Sequence, residues 1–327
     1  MERNILAVIC TCSLLVACSN SDSNRNIIPV DSPPPSITIS SNNAILVAQV
    51  SYGTALESGN LGDLGGDTGL LASGPAGVSR LNGSFATSAN SGTSAASQVP
   101  IPPVTTDCAV RGSVTFSGEI ADPITPTLTS GDFFEFDYDM CDEGLGEMTD
   151  GLVRADVDSF AGDFLAGLFD LTMTFTLTTL QVSTDVDVLT SNGDVSVTFS
   201  TANSPAVSTS ISGNSLTFDL NASSESLTNF ATTLTLDGNF VPAPFTMTAS
   251  GTLDSTRLSG VVRYSTEQVF QGFEGDYPDS GIFFVEGVNS SLRLIAENNV
   301  NVRIEIDTDG NGTFDETINT TWAALTG

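Results

Sequence analysis

Histidine is absent from this 327-residue chain, and so is lysine: all nine basic residues are arginine. Those two absences remove whole classes of chemistry. A Ser-His-Asp or Cys-His nucleophile cannot be assembled, nor can a histidine-ligated zinc site, a Schiff-base lysine or a Walker P-loop. Nine arginines against 39 carboxylates leave a formal net charge of -30. No basic patch exists to neutralise phosphates, which speaks against a nucleic-acid partner and against charge-driven binding to an anionic membrane. Carboxylate-pair chemistry of the glycosidase kind survives, since it needs only two Asp or Glu residues at the right separation. The sequence picks out no such pair, so it points away from an enzyme.

The acidity itself has two readings. It keeps a chain soluble, notably in salt where repulsion is screened, or part of it forms cation sites. Tyr (4) and Trp (1) are scarce beside Phe (19). Ser and Thr are abundant, which supplies strand formers and turn formers together.

The N-terminus gives an address. After Glu2 and Arg3, an apolar run from Ile5 to Ala17 is too short to span a bilayer as a permanent helix. It ends in Leu15-Val16-Ala17-Cys18, which resembles the lipobox of bacterial lipoproteins. That resemblance implies cleavage before Cys18 and acylation (palmitate) of that cysteine. Ser19 stands where an Asp would signal inner-membrane retention in the enteric sorting pattern, so the resemblance favours lipid anchoring in the outer membrane. Cys10 and Cys12 then leave with the signal. Cys108 and Cys141 remain as the mature pair, expected as a disulfide in an oxidising compartment.

Five segments follow. Residues 1–17 are the signal peptide, and 18–36, with Pro33-Pro34-Pro35, are a tether. In 37–58 a short strand, Ile37-Thr38-Ile39, leads into a helix capped by Asn42 or Asn43. Its buried stripe is expected to be Ile45, Ala48, Tyr52 and Leu56. Residues 59–107, rich in Gly, Ser, Ala and Pro, read as a flexible linker. Residues 108–327 form the β domain, large enough for one substantial core or two small ones.

Within that domain Val114 and Phe116, then Phe134, Phe136, Tyr138 and Met140, then Leu171, Met173, Phe175 and Leu177, all alternate with polar residues. Further runs of period two continue to Ile306. Turn signals between them (Ser191-Asn192-Gly193, Gly213-Asn214, Asp237-Gly238-Asn239 and Tyr277 to Gly281) favour an antiparallel meander. The fold class is therefore all-β, a sandwich or partly open barrel, with one short N-terminal helix. Strict alternation places Cys108 on the apolar face and Cys141 on the acidic one, so a disulfide demands a bulge or a strand end near one cysteine. The segment from Gly144 to Phe169 is ambiguous between strand and helical turn.

One loop has a cation-binding pattern. Asp307, Asp309, Asn311, Thr313, Asp315 and Glu316 place oxygens at alternate positions around Gly310 and Gly312, as calcium requires. Ile318 stands where an EF-hand has its bidentate Glu, and the flanks read as strands. The loop resembles the calcium-binding aspartate loops that join strands in secreted bacterial proteins. The competing reading is a plain Asn-Gly hairpin turn. The strand Glu135, Asp137, Asp139, with Asp142 and Glu143, is a solvated face, a second cation site or a sugar-binding edge.

The lipobox, the Cys108 and Cys141 pair, Tyr277 to Gly281, and the aspartate loop running into Thr321-Trp322-Ala323-Ala324-Leu325 together resemble a group of uncharacterised lipoproteins of Gram-negative bacteria. That resemblance implies no activity. The function expected is a non-enzymatic binding or structural module on a lipid anchor, its protein or glycan partner open. A carrier of apolar ligands, with the helix plugging a curved sheet, and a carbohydrate-active enzyme are the alternatives.

Overall fold

Alternation along one strand shows how this chain builds its sheet. In the computed structural model Leu171, Met173, Phe175 and Leu177 are buried, while the threonines between them bond sideways along the other face. Thr172 meets Thr198 at 3.2 Å, Thr174 donates to Asp158 at 2.7 Å, and Thr176 donates to Asp194 at 2.7 Å. β-branched hydroxyl residues suit such a surface because they pack on the pleat and pair across strands.

The structure describes residues 32–60, 98–121, 128–144, 146–163, 167–202 and 204–326. In order these form α1 (Ala44–Asn60), β1 (Val99–Asp107), β2 (Arg111–Ile120), β3 (Phe133–Asp142), β4 (Met148–Asp163) and β5 (Leu168–Ser183). Then come β6 (Val188–Ser200), β7 (Ala206–Leu220), β8 (Ser223–Asp237), β9 (Pro244–Ser255) and β10 (Gly260–Phe273). β11 (Ser280–Gly287), β12 (Ser290–Ala296), β13 (Asn301–Asp307), β14 (Glu316–Thr321) and α2 (Trp322–Thr326) complete the chain. The strands hydrogen-bond in sequence order, β1 through β14, as one unclosed antiparallel meander of 14 strands. Two compact units divide the chain: a central unit (60–199 and 216–222) and a C-terminal unit (1–59, 200–215 and 223–327).

In the central unit the sheet starts earlier than composition suggested. β1 occupies nine residues (Val99–Asp107) inside the segment expected as linker, while 61–97 lie outside the described residues. Pro100, Pro102 and Pro103 hid this strand. It is tolerated because β1 is an edge strand, paired among the described residues only with β2 and shifted in register between Ile101 and Val104. Pro102 and Pro103 fall in that shift, and an edge strand tolerates proline where its N–H would face away from the partner. The ambiguous stretch after Gly144 resolves as β4, with Val153, Ala155 and Val157 buried. Ser191-Asn192-Gly193 and Gly213-Asn214 are not turns but lie within β6 and β7. At the first of these, the Asn192 side chain takes the N–H of Thr179 at 2.7 Å, so the amide serves the sheet instead of breaking it.

The cysteines are joined, with Cα atoms 5.5 Å apart. Their expected facing conflict is relieved by a bulge. Met140 has φ 50°, and the register shifts between Arg111 and Ser113 and again between Tyr138 and Cys141. Gly112, φ 75°, faces this kink; a Cβ there would lie 2.1 Å from the Met140 carbonyl oxygen. Only glycine fits.

In the C-terminal unit the N-terminal segment runs against strand ends. Ile37 and Ile39 are buried, but they form no strand: the Ile37 carbonyl accepts the Val288 N–H at 2.7 Å, and the Ile39 N–H donates to Ser290 Oγ at 2.8 Å. Asn43 precedes α1, yet its side chain turns backward, accepting the Ser40 N–H at 2.8 Å and donating to the Thr38 carbonyl at 3.0 Å. The buried residues of α1 are Ala44, Val47, Ala48, Val50, Ser51, Tyr52, Thr54 and Ala55. Ile45, placed on the buried stripe by spacing alone, is 40% exposed instead. Small side chains bring the helix backbone close to the strands, and Ile45 lies about 100° around from Ala44.

Tyr52 is the helix's anchor. Its ring lies 5.5 Å from Phe270, 5.6 Å from Phe283 and 5.1 Å from Trp322. Trp322 opens α2, is fully buried, and donates its Nε1–H to both the Pro278 and Asn298 carbonyls at 3.2 Å. Tyr277 stacks on it at 5.7 Å. The Tyr277 to Gly281 turn and the Trp322 segment thus form one cluster.

Candidate metal centre

The aspartate loop joins β13 to β14, the antiparallel hairpin its strand-like flanks suggested. Apolar alternation buries Val302, Ile304 and Ile306. Asp307, next in line, is drawn in with only 3% of its surface exposed. The loop is closed at its base by the Asp315 N–H, which donates to the Ile306 carbonyl at 2.9 Å.

A carboxylate at such burial needs partners, and the loop backbone supplies them. Asp307 Oδ1 accepts the N–H of Gly310 at 2.8 Å and of Asp309 at 3.3 Å, and Oδ2 accepts that of Gly312 at 2.9 Å. Asp309 and Asn311 repeat the pattern one step on, accepting the N–H of Asn311 (3.1 Å) and Thr313 (2.7 Å). Burial pushes the Asp307 carboxyl up, but donation chiefly from the N–H groups of Gly312, Gly310 and Asp309 outweighs it and holds the group below the usual carboxylate range. The charge is therefore retained as the pH falls into the range where free carboxylates protonate.

Both glycines are required by geometry. Gly310 and Gly312 have φ 72° and 84°, and a Cβ on Gly310 would lie within 3.0 Å of the Asn289 backbone in the β11–β12 turn. Phe314 anchors the far side of the loop, its ring 4.5 Å beneath the Arg293 guanidinium, which also pairs with Glu267. Neither Asn289 nor Arg293 carried a signal in the sequence, because the β11–β12 turn and β12 reach the loop by register alone.

Asp307, Asp309 and Asp315 bring one carboxylate oxygen each to within 4.8 Å of one another. Calcium ligands at about 2.3–2.6 Å from a shared ion are separated on this scale. Three of the roughly four lone-pair positions on Asp307 already face N–H groups, so Asp309 and Asp315, both exposed, hold most of the donor capacity. Glu316, also expected as a ligand, stands exposed at the start of β14 outside this group; Asn311 and Thr313 are exposed on the loop, with Asn311 Oδ1 on the Thr313 N–H.

The second acidic run has a different character. Glu135, Asp137 and Asp139 lie on β3, which is paired on both sides, by β2 and by β4, so it is not an edge for a sugar or any other strand-like ligand. Cys108, Cys141 and Glu143 lie close together, but the two sulfurs are bonded to each other and are not ligands. Cys18 lies outside the described residues. No family model, curated protein or solved structure matches the chain.

Proposed function

We propose that this chain is a lipid-anchored protein of the bacterial cell envelope, held at the outer membrane by acylated Cys18. Its β domain is a non-enzymatic binding or structural module, with calcium in the Asp307–Asp315 loop. The observation that carries this reading is the Cys108–Cys141 bond. Such cross-links persist in oxidising compartments and are rare in the cytosol, and the lipobox directs the chain to such a compartment. Fractionation of cells fed an alkyne analogue of palmitate tests the anchor: the protein is expected in the membrane fraction, labelled, and Cys18→Ala is expected to abolish the label and release the chain. An unlabelled wild-type protein would end this reading.

Calcium is supported by the carboxylate geometry and by the glycine-bearing turn that shapes it. The role is structural, fixing the β13–β14 hairpin. At calcium a hundredfold above its Kd, about 2.7 kcal/mol of added stability is expected by mass action. The check is a thermal melt with calcium and with chelator, in wild type and in Asp309→Asn/Asp315→Asn. A wild-type Tm that does not respond to chelator removes the ion from the proposal.

Against the apolar-carrier alternative stands one hollow of the central unit, under Leu171, Met173, Phe175, Val197 and Phe199, which admits no water-sized sphere.

A further inference from the structure

We infer that the solvent face of the C-terminal unit carries a recess that binds a neutral oligosaccharide. The recess measures about 520 Å3, within the roughly 300–1,000 Å3 of ligand sites. Its floor is Ser250 and Thr252 of β9 beside Ser265 and Arg263 of β10, paired Ser265↔Ser250 and Arg263↔Thr252. Alternation puts these on the face opposite the buried Leu253 and Val262.

Sheet faces are flat unless something raises a wall, and here a bulge on one side and two side chains on the other do so. Asn229 has φ 47° where the β8–β9 register shifts between Thr228 and Ala231; such a bulge re-aims a strand. Its Nδ2 then donates to Ser32 Oγ at 2.6 Å, which stands the N-terminal segment beside the bulge. Opposite, Phe284 and Glu286 of β11 close the recess. Thr252 is only 3% exposed at the bottom, although it belongs to the solvent face.

The lining selects the ligand class. Arg263 and Glu286 approach only to 3.9 Å and stay about half exposed, against 2.7 Å for Arg257 and Glu225. A loose pair keeps guanidinium donors and carboxylate acceptors for a ligand that offers both, as sugar hydroxyls do. One cation and one anion cancel, so the recess has no preference for a charged ligand despite the acidity of the chain. The half-buried Phe284 ring gives an apolar plane for the C–H face of a pyranose. A peptide is disfavoured because β9, β10 and β11 are paired on both sides and offer no free backbone for strand addition. Glu286 is the single carboxylate of the lining, so the recess binds glycosidic linkages and has no acid–base pair to cut them.

This deepens the binding-module reading and rests on it. The full chain carrying Cys18→Ser keeps the test independent of the anchor. Saturation-transfer NMR against neutral oligosaccharides, uronate oligosaccharides and tripeptides is expected to show binding of the neutral class only. Ser265→Trp, which fills the recess from an exposed position, is expected to abolish it at unchanged Tm, and Arg263→Ala to weaken it about tenfold through lost hydrogen bonds. Three results each overturn the inference: no neutral oligosaccharide bound at millimolar concentration, binding confined to uronates or peptides, or binding undiminished in both variants.

Discussion

Replacing Trp322 by alanine is expected to destabilise the C-terminal unit by roughly 3–5 kcal/mol, the range for deleting a buried aromatic side chain. The side chain is fully buried and lies between three rings, Tyr52, Phe270 and Tyr277. Its loss leaves a cavity and removes the one donor that the Pro278 and Asn298 carbonyls share. Trp322 also ties α1 to two separate turns, so the helix loosens along with the C-terminus. Urea unfolding followed by circular dichroism measures the effect, with Val241→Ala as control, since Val241 is 99% exposed and its truncation should be silent. A loss below about 1 kcal/mol, the ordinary size for a point substitution, would mean that the cluster contributes far less than its burial indicates.

Removing the disulfide by Cys108→Ala/Cys141→Ala is expected to cost about 3–4 kcal/mol, from the entropy of an open chain between residues 33 apart. The cross-link closes the outer ends of β2 and β3 at the Met140 bulge, where Cys108 also donates its N–H to the Gly112 carbonyl at 3.1 Å. The loss should therefore fall on the central unit. If unfolding resolves two transitions, only the one assigned to that unit should move, and dithiothreitol should reproduce the shift in wild type. Equal movement of both transitions would refute a local role for the bond.

Which parts of this molecule could be read from its sequence follows from the range of the interactions concerned. The strands were legible because burial of one face imposes period two, as in Leu171 to Leu177, and the meander because each strand pairs with its chain neighbours. Even the bulge at the cysteines was foreshadowed, since Cys108 and Cys141 fell on opposite faces by count. β1 was hidden because edge position, which excuses its prolines, is a tertiary property. Asn192-Gly193 misled for a similar reason: whether an Asn side chain ends a strand or serves one depends on the Thr179 N–H across the sheet. The aspartate loop announced its turn and its carboxylates. It did not announce that the Asp307 oxygens would be turned toward N–H groups, or that Asn289 and Arg293 would wall it. The recess over β9 and β10 left no local trace, because its residues are gathered from four strands and from Ser32.

One feature of the C-terminal unit bears on the order in which it can be completed. Strand pairings in the meander join neighbours in sequence, so each closes a short loop at modest entropic expense. Helix α1 and the segment before it are the exception. Ile39 bonds to Ser290 across 251 residues, and Thr232 reaches the Ala55 carbonyl across 177. The residues that emerge first during synthesis must wait for those that emerge nearly last. Until Phe283 and Trp322 exist, Tyr52 and the small-residue face of α1 have no bed, and the apolar side of β10 stands uncovered. Completion of this unit is thus expected to follow its final strands, and a chain cut short before them would leave that apolar surface open to aggregation and to chaperones.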